Sequence, residues 1–122
     1  MARILVVEDD PDVLTLVMHK LRRAGHDVTS AMDGEAGLAA VRTEHPELVI
    51  LDWMMPRMTG LEVCHAVRED PAVWRTRILM LTAKAQEEDV ERAFESGADE
   101  YILKPFNSKE LLARIDTLLA RE

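Results

Sequence analysis

The chemistry open to this sequence rests on five polar residues: Glu8, Asp9, Asp52, Thr82 and Lys104. Each ends or directly follows a short run dominated by apolar residues, at 3–7, 48–51, 78–81 and 100–103. Runs of that length suit buried strands and are too short for helices. A charge has no place inside a strand covered on both faces, so each polar residue marks where its strand emerges. Parallel strands emerge on one edge, and that edge is where ligands bind in an open α/β sheet. The five groups therefore converge. Taken singly, each has an ordinary role: acids after a strand cap helices, a strand-end Thr makes a turn, a Lys is solvated. Their joint arrival on one edge points to a site.

Three carboxylates brought together repel. Two like charges ~4 Å apart cost about 4 kcal/mol at an effective dielectric of ~20. A positive partner must compensate, or the carboxyls protonate. Lys104 supplies one charge. The remaining donors at the strand ends are oxygens, with no Cys or His, which favours a hard divalent cation, Mg²⁺ or Mn²⁺. Three carboxylates against one such cation and one Lys come out near neutral, so the site can accept the added negative charge of a phosphoryl group. No serine- or cysteine-type nucleophile–base pair is present, and a carboxylate nucleophile, Asp52, is the consistent choice.

The elements that must hold these groups alternate strand and helix five times. After residues 3–7, Asp10 before Pro11 is placed to cap a helix carrying Val13, Leu14, Val17, Met18 and Leu21 and stopping at Gly25. Residues 27–31 form a shorter, more polar strand suited to an edge. Asp33-Gly34 leads into a helix through Leu38 and Val41, closed by His45-Pro46. Pro56 keeps the 48–51 strand from continuing beyond Asp52. Thr59-Gly-Leu-Glu62 has the form of a capping box and starts a helix with Leu61, Cys64, His65 and Val67. Glu87 to Ser96 predicts a mostly polar helix with Val90, Ala93 and Phe94 as its apolar stripe, ended by Gly97. Asn107, with Glu110 three residues on, caps a last helix striped by Leu111, Leu112, Ile115, Leu118 and Leu119. This is the pattern of an α/β, doubly wound five-stranded parallel sheet with five helices. The flavodoxin-like strand order 2-1-3-4-5 fits, since it puts the polar second strand at an edge.

Length and composition set the outer bounds. The 122 residues are 48% hydrophobic and 31% charged, the balance of a single globular domain spanning 1–122. Lys plus Arg number 15 against 23 Asp plus Glu, a net charge of -8 that disfavours direct nucleic-acid or membrane binding. The lone Cys64 allows no internal disulfide and has no metal spacing. With no signal peptide and no apolar run of ~20 residues, the expected location is cytoplasmic.

Four segments then resemble one family: Val-Val-Glu-Asp-Asp at 6–10, Leu-Asp-Trp-Met-Met-Pro at 51–56, Leu-Thr-Ala at 81–83 and Lys-Pro-Phe at 104–106. In this order and spacing they are similar to the CheY-like receiver domain of bacterial two-component response regulators. The resemblance covers residues 2 to about 119. It implies that Asp52 accepts a phosphoryl group from a sensor histidine kinase, a phosphotransfer protein or a small phosphodonor. It further implies that Asp9 binds Mg²⁺ directly and Glu8 through water, with the backbone carbonyl of Met54 as another ligand. Thr82 would hydrogen-bond the phosphoryl oxygens and Lys104 would pair with them. Tyr101 matches an aromatic switch position, and Pro105 a proline preceded by a cis bond. Met54 and Lys84 fall at variable positions that tune phosphoryl lifetime. An apolar Met54 cannot orient a hydrolytic water, so slow self-dephosphorylation is expected.

The family's output face consists of the fourth helix, fifth strand and fifth helix. Here it carries Glu87, Glu88, Asp89, Glu91, Asp99 and Glu100 opposite Lys109, Arg114 and Arg121. Glu100, Glu110 and Arg114 match the pattern of a symmetric homodimer face, whereas Val90 departs from it. His19, His26, His45 and His65 are scattered without metal spacing, so the chain is an acceptor and not a phosphohistidine donor. Trp53 is expected at the pocket rim and Trp74 on the surface. Two other classes compare poorly. A Mg²⁺-dependent phosphohydrolase with an aspartyl nucleophile usually has a second Asp where Met54 stands, and a flavodoxin needs a Ser/Thr/Gly-rich phosphate loop after the first strand.

Overall fold

The computed structural model describes residues 2–121. In chain order these form β1 (Arg3–Val7), α1 (Pro11–Arg23), β2 (Asp27–Ala31), α2 (Gly34–Glu44) and β3 (Leu48–Leu51). There follow α3 (Gly60–Glu69), β4 (Arg77–Thr82), α4 (Glu87–Glu95), β5 (Glu100–Leu103) and α5 (Ser108–Ala120). The strands make one sheet in the order β2-β1-β3-β4-β5, with every pair parallel. This is the flavodoxin-like arrangement expected from the sequence.

The alternation of side chains along each strand divides the core in two. Leu5, Val7, Val49, Leu51, Ile78 and Met80 face α2, α3 and α4, where Leu38, Val41, Val63, Cys64, Val67 and Ala93 meet them. Ile4, Val6, Leu48, Ile50, Leu79 and Leu81 face α1 and α5, against Leu14, Val17, Leu21, Leu111, Ile115 and Leu118. All four residues of β3 are buried, as a central strand covered on both faces requires.

Four of the five helix starts, all but that of α4, are fixed by side-chain caps. Asp10 accepts from the Asp12 and Val13 N–H groups, with Pro11 in the first turn. Asp33 accepts from Ala36 N–H, and Asn107 accepts from Lys109 and Glu110. Thr59 and Glu62 exchange both bonds of a capping box, 3.0 and 3.2 Å long. Each cap places a helix directly above a strand end, which fixes where the intervening loop can lie.

Three expectations are corrected. α4 ends at Glu95, one residue early, because Ser96 serves as its C-cap and donates to the Arg92 carbonyl. Of its apolar stripe only Ala93 is buried, and Phe94 stays 44% exposed. Asp99 does not join the charged outer face. Its carboxylate turns inward to accept from the Ile78 N–H and the Arg68 guanidinium, both at 2.8 Å.

Candidate functional site

Backbone bonds between neighbouring strands set the depth of the site residues. The Asp52 N–H donates to the Val7 carbonyl at 3.1 Å, and the Lys104 N–H to the Thr82 carbonyl at 2.9 Å. The sheet therefore extends one residue past β3 and joins the ends of β4 and β5. Glu8, Asp52 and Thr82 are all buried there, the only strongly buried polar side chains besides Thr76 among the described residues.

Lys104 holds the carboxylates together. Its Nζ lies 2.7 Å from Glu8 Oε1 and 2.8 Å from Asp52 Oδ2. Glu8 keeps its second oxygen for the Asp10 N–H at 3.1 Å, and Asp52 Oδ1 accepts from Met54 N–H at 3.3 Å. Burial raises the Glu8 carboxyl above the usual carboxylate range, with the Asp52 charge adding to it and the Lys104 bond opposing. Burial alone would lower Lys104, but its hydrogen bonds to Asp52 and Glu8 outweigh that and leave it raised. The pairing keeps the ammonium charged.

Oxygen atoms of Glu8, Asp9 and Asp52 lie within 4.8 Å of one another. Oxygens around an octahedral Mg²⁺ at ~2.1 Å stand about 3–4 Å apart, so modest side-chain movement closes the set on such an ion. The donors are all hard, with no thiol or imidazole among them. The residues fit Mg²⁺ or Mn²⁺.

The other predicted residues fall around this cluster. Thr82 is 1% exposed, and its Oγ1 accepts from the Lys84 N–H at 3.4 Å. The Tyr101 hydroxyl donates to the Lys84 carbonyl at 2.7 Å, and burial together with the Asp89 and Asp52 charges pushes the phenol up to about 12. The Lys104–Pro105 bond is cis. Met54 points its side chain outward, 60% exposed. Trp53 is not at the rim: it is 4% exposed and belongs to the core under α2 to α4. Its neighbours there are Lys84, expected from the sequence only to tune phosphoryl lifetime, and Arg92, which the sequence does not single out, at 4.9 and 5.7 Å from the ring centroid. They are far from Trp53 in the chain, and no local pattern signals the meeting.

A family model described as a response regulator receiver domain matches residues 4–116. The alkaline phosphatase synthesis transcriptional regulatory protein PhoP of Bacillus subtilis is 44% identical over 119 residues, covering 98% of this chain and 49% of its own length. The chain thus spans about half the length of the curated relatives it matches. Among solved structures, Vibrio cholerae chemotaxis protein CheY4 superposes with a TM-score of 0.90 at 36% identity, over 97% of this chain and 98% of that one. The receiver domain of a sensor histidine kinase from Pseudomonas aeruginosa does so with 0.91 at 28% identity, over 98% of each, and holds a magnesium ion in its active-site cleft.

Proposed function

This chain belongs to the family of response regulator receiver domains, and on that premise we propose that Asp52 is its phosphoacceptor. The observation that carries the assignment is the Asp52 carboxylate itself. It ends the central strand, is buried, bonds Lys104 at 2.8 Å, and shares its pocket with Glu8 and Asp9.

An Asp52 oxygen attacks phosphorus while the bond to the donor's imidazole nitrogen, or to a small donor's oxygen, breaks. Transfer of this kind needs positioning and charge neutralisation more than covalent chemistry. Lys104 neutralises the incoming oxygens and keeps Asp52 oriented. The buried Thr82 hydroxyl supplies a donor to one phosphoryl oxygen. Glu8 and Asp9, with the Met54 carbonyl, would hold Mg²⁺ or Mn²⁺, which supplies charge compensation to the phosphoryl oxygens when bound. The same groups serve the later hydrolysis, in which water attacks phosphorus, the bond to the Asp52 oxygen breaks and inorganic phosphate leaves, so the domain catalyses its own phosphorylation and dephosphorylation as a signalling switch.

The partner is a sensor histidine kinase or a phosphotransfer protein, and the output face is α4–β5–α5. Phe94 and Leu103 are both about two-fifths exposed on that face, beside the Glu100–Arg114 pair at 2.8 Å. Apolar groups edged by charge support a symmetric homodimer there, with phosphorylation shifting a pre-existing equilibrium. Incubation with acetyl phosphate and Mg²⁺, followed by mass spectrometry, tests the assignment. One added phosphoryl is expected on the wild type and none on Asp52→Asn; equal labelling of both refutes it.

A further inference from the structure

Trp53 follows Asp52 directly, and two cations from different elements lie over its buried indole. Lys84, in the loop after β4, places Nζ 4.9 Å from the ring centroid, and Arg92 of α4 places Cζ at 5.7 Å. Both fall within the ~6 Å over which a ring quadrupole attracts a cation; the indole is buried, Lys84 is half-buried and Arg92 is exposed. Lys84 is tied to its surroundings at three further points. Its N–H donates to Thr82 Oγ1, its carbonyl accepts from Tyr101, and its ammonium stands 3.9 Å from Asp89 of α4. α4 has few other anchors: Ala93 is its one buried residue, and its N-cap Gln86 makes no side-chain capping bond.

We propose that the Trp53 indole, with Lys84 and Arg92 on its ring, couples the phosphoacceptor to α4 through the Lys84 ammonium, whereas Thr82 and Tyr101 bond the Lys84 backbone. Trp53 shares a peptide bond with Asp52, and its carbonyl is held by the Gly60 N–H at 2.9 Å. A phosphoryl group on Asp52 adds negative charge one residue from the indole. That charge competes with the ring and with Asp89 for the Lys84 ammonium. As Lys84 shifts, Arg92 remains the sole cation on the ring and the grip on α4 changes. Linkage makes the coupling reciprocal, so a partner that engages Arg92 alters the tendency of Asp52 to carry the phosphoryl group. Arg92 touches no reacting atom and acts as a positioning residue.

The inference rests on Asp52 being the phosphoacceptor, and the test separates the two. Amide exchange over residues 87–95 is measured with and without Mg²⁺ and beryllofluoride, a phosphoryl mimic whose binding is followed by calorimetry. In the wild type the mimic should change these rates about threefold or more; in Arg92→Met that change should shrink by about half or more, with mimic affinity kept within about twofold. Arg92→Lys should recover part of the change. Trp53→Leu should mimic Arg92→Met, and the double variant should add little to either. A merely structural role would move the urea midpoint and leave the mimic-induced difference intact, and that result overturns the coupling. Absence of mimic binding to the wild type overturns the Asp52 assignment first, and the coupling with it.

Discussion

Lys104 Nζ stands between two carboxylates, 2.8 Å from Asp52 and 2.7 Å from Glu8, with both acids almost fully buried. The ammonium is therefore what lets these two buried acids share one pocket, with Asp9 exposed beside them. Replacing it as Lys104→Met should cost roughly 3 kcal/mol of stability at neutral pH without divalent cations, because the acids lose their partner. Mg²⁺ at about a hundred times its dissociation constant stabilises any form that binds it by about 2.7 kcal/mol. The unpaired acids of the variant should bind it more tightly than the wild type, so the loss shrinks in Mg²⁺. Urea unfolding with EDTA and with Mg²⁺ measures both, and equal losses in the two media would refute the account.

The exposed Met54 side chain bears no group that can activate or orient water beside Asp52. The acyl phosphate of the isolated domain should persist for minutes or longer, and Met54→Asn should shorten it. Loss of label followed after removal of the donor gives the lifetime; seconds in the wild type would exclude this explanation.

Tyr101 is the one tyrosine of the chain, so its ionisation can be followed alone by absorbance near 295 nm. Burial, then the charges of Asp89 and Asp52, raise it from 10.0 to about 12. The phenol thus stays protonated in the fold at pH values where it ionises in the unfolded chain. Its contribution to stability is complete below pH 10 and is lost as pH rises through about 12. A native midpoint near 10 would contradict the buried placement.

Arg68 ties the α3–β4 connection to the start of β5. It donates to the carbonyls of Gly97, Trp74 and Thr76 and to the Asp99 carboxylate, all between 2.6 and 2.9 Å. Arg68→Met strands these acceptors together and should cost roughly 3 kcal/mol in urea unfolding. Asp99→Asn, which keeps an acceptor for Ile78 N–H, should cost less.

What could be seen in the sequence was what local chemistry dictates. Aliphatic runs, caps such as Asp10 and Thr59, and the polar residues at strand ends fix strands, helix starts and the shared edge, because each depends on neighbours a few positions away. The sheet order followed from the polarity of β2. The places of Trp53 and Asp99 depend instead on partners distant in sequence. A Trp beside a site and an acid beside a strand look exposed until Lys84, Arg92 and Arg68 are known to arrive there. The meeting of Glu8, Asp9, Asp52 and Lys104 was legible because parallel strands leave their ends no other place to go.

Gly60 opens α3 with no room for a side chain: a Cβ there would strike the Asp52 carbonyl oxygen and come within 2.9 Å of Trp53 Cα. With its N–H bonded to the Trp53 carbonyl, the loop leaves the sheet and returns to almost the same backbone position. The segment 54–58 is thus a ring closed at its base. Met54 at its start bonds Asp52 and Met55 packs into the core, so the ring is fastened to the site, and Gly60→Ala, a single methyl added at the closure, would displace the acceptor.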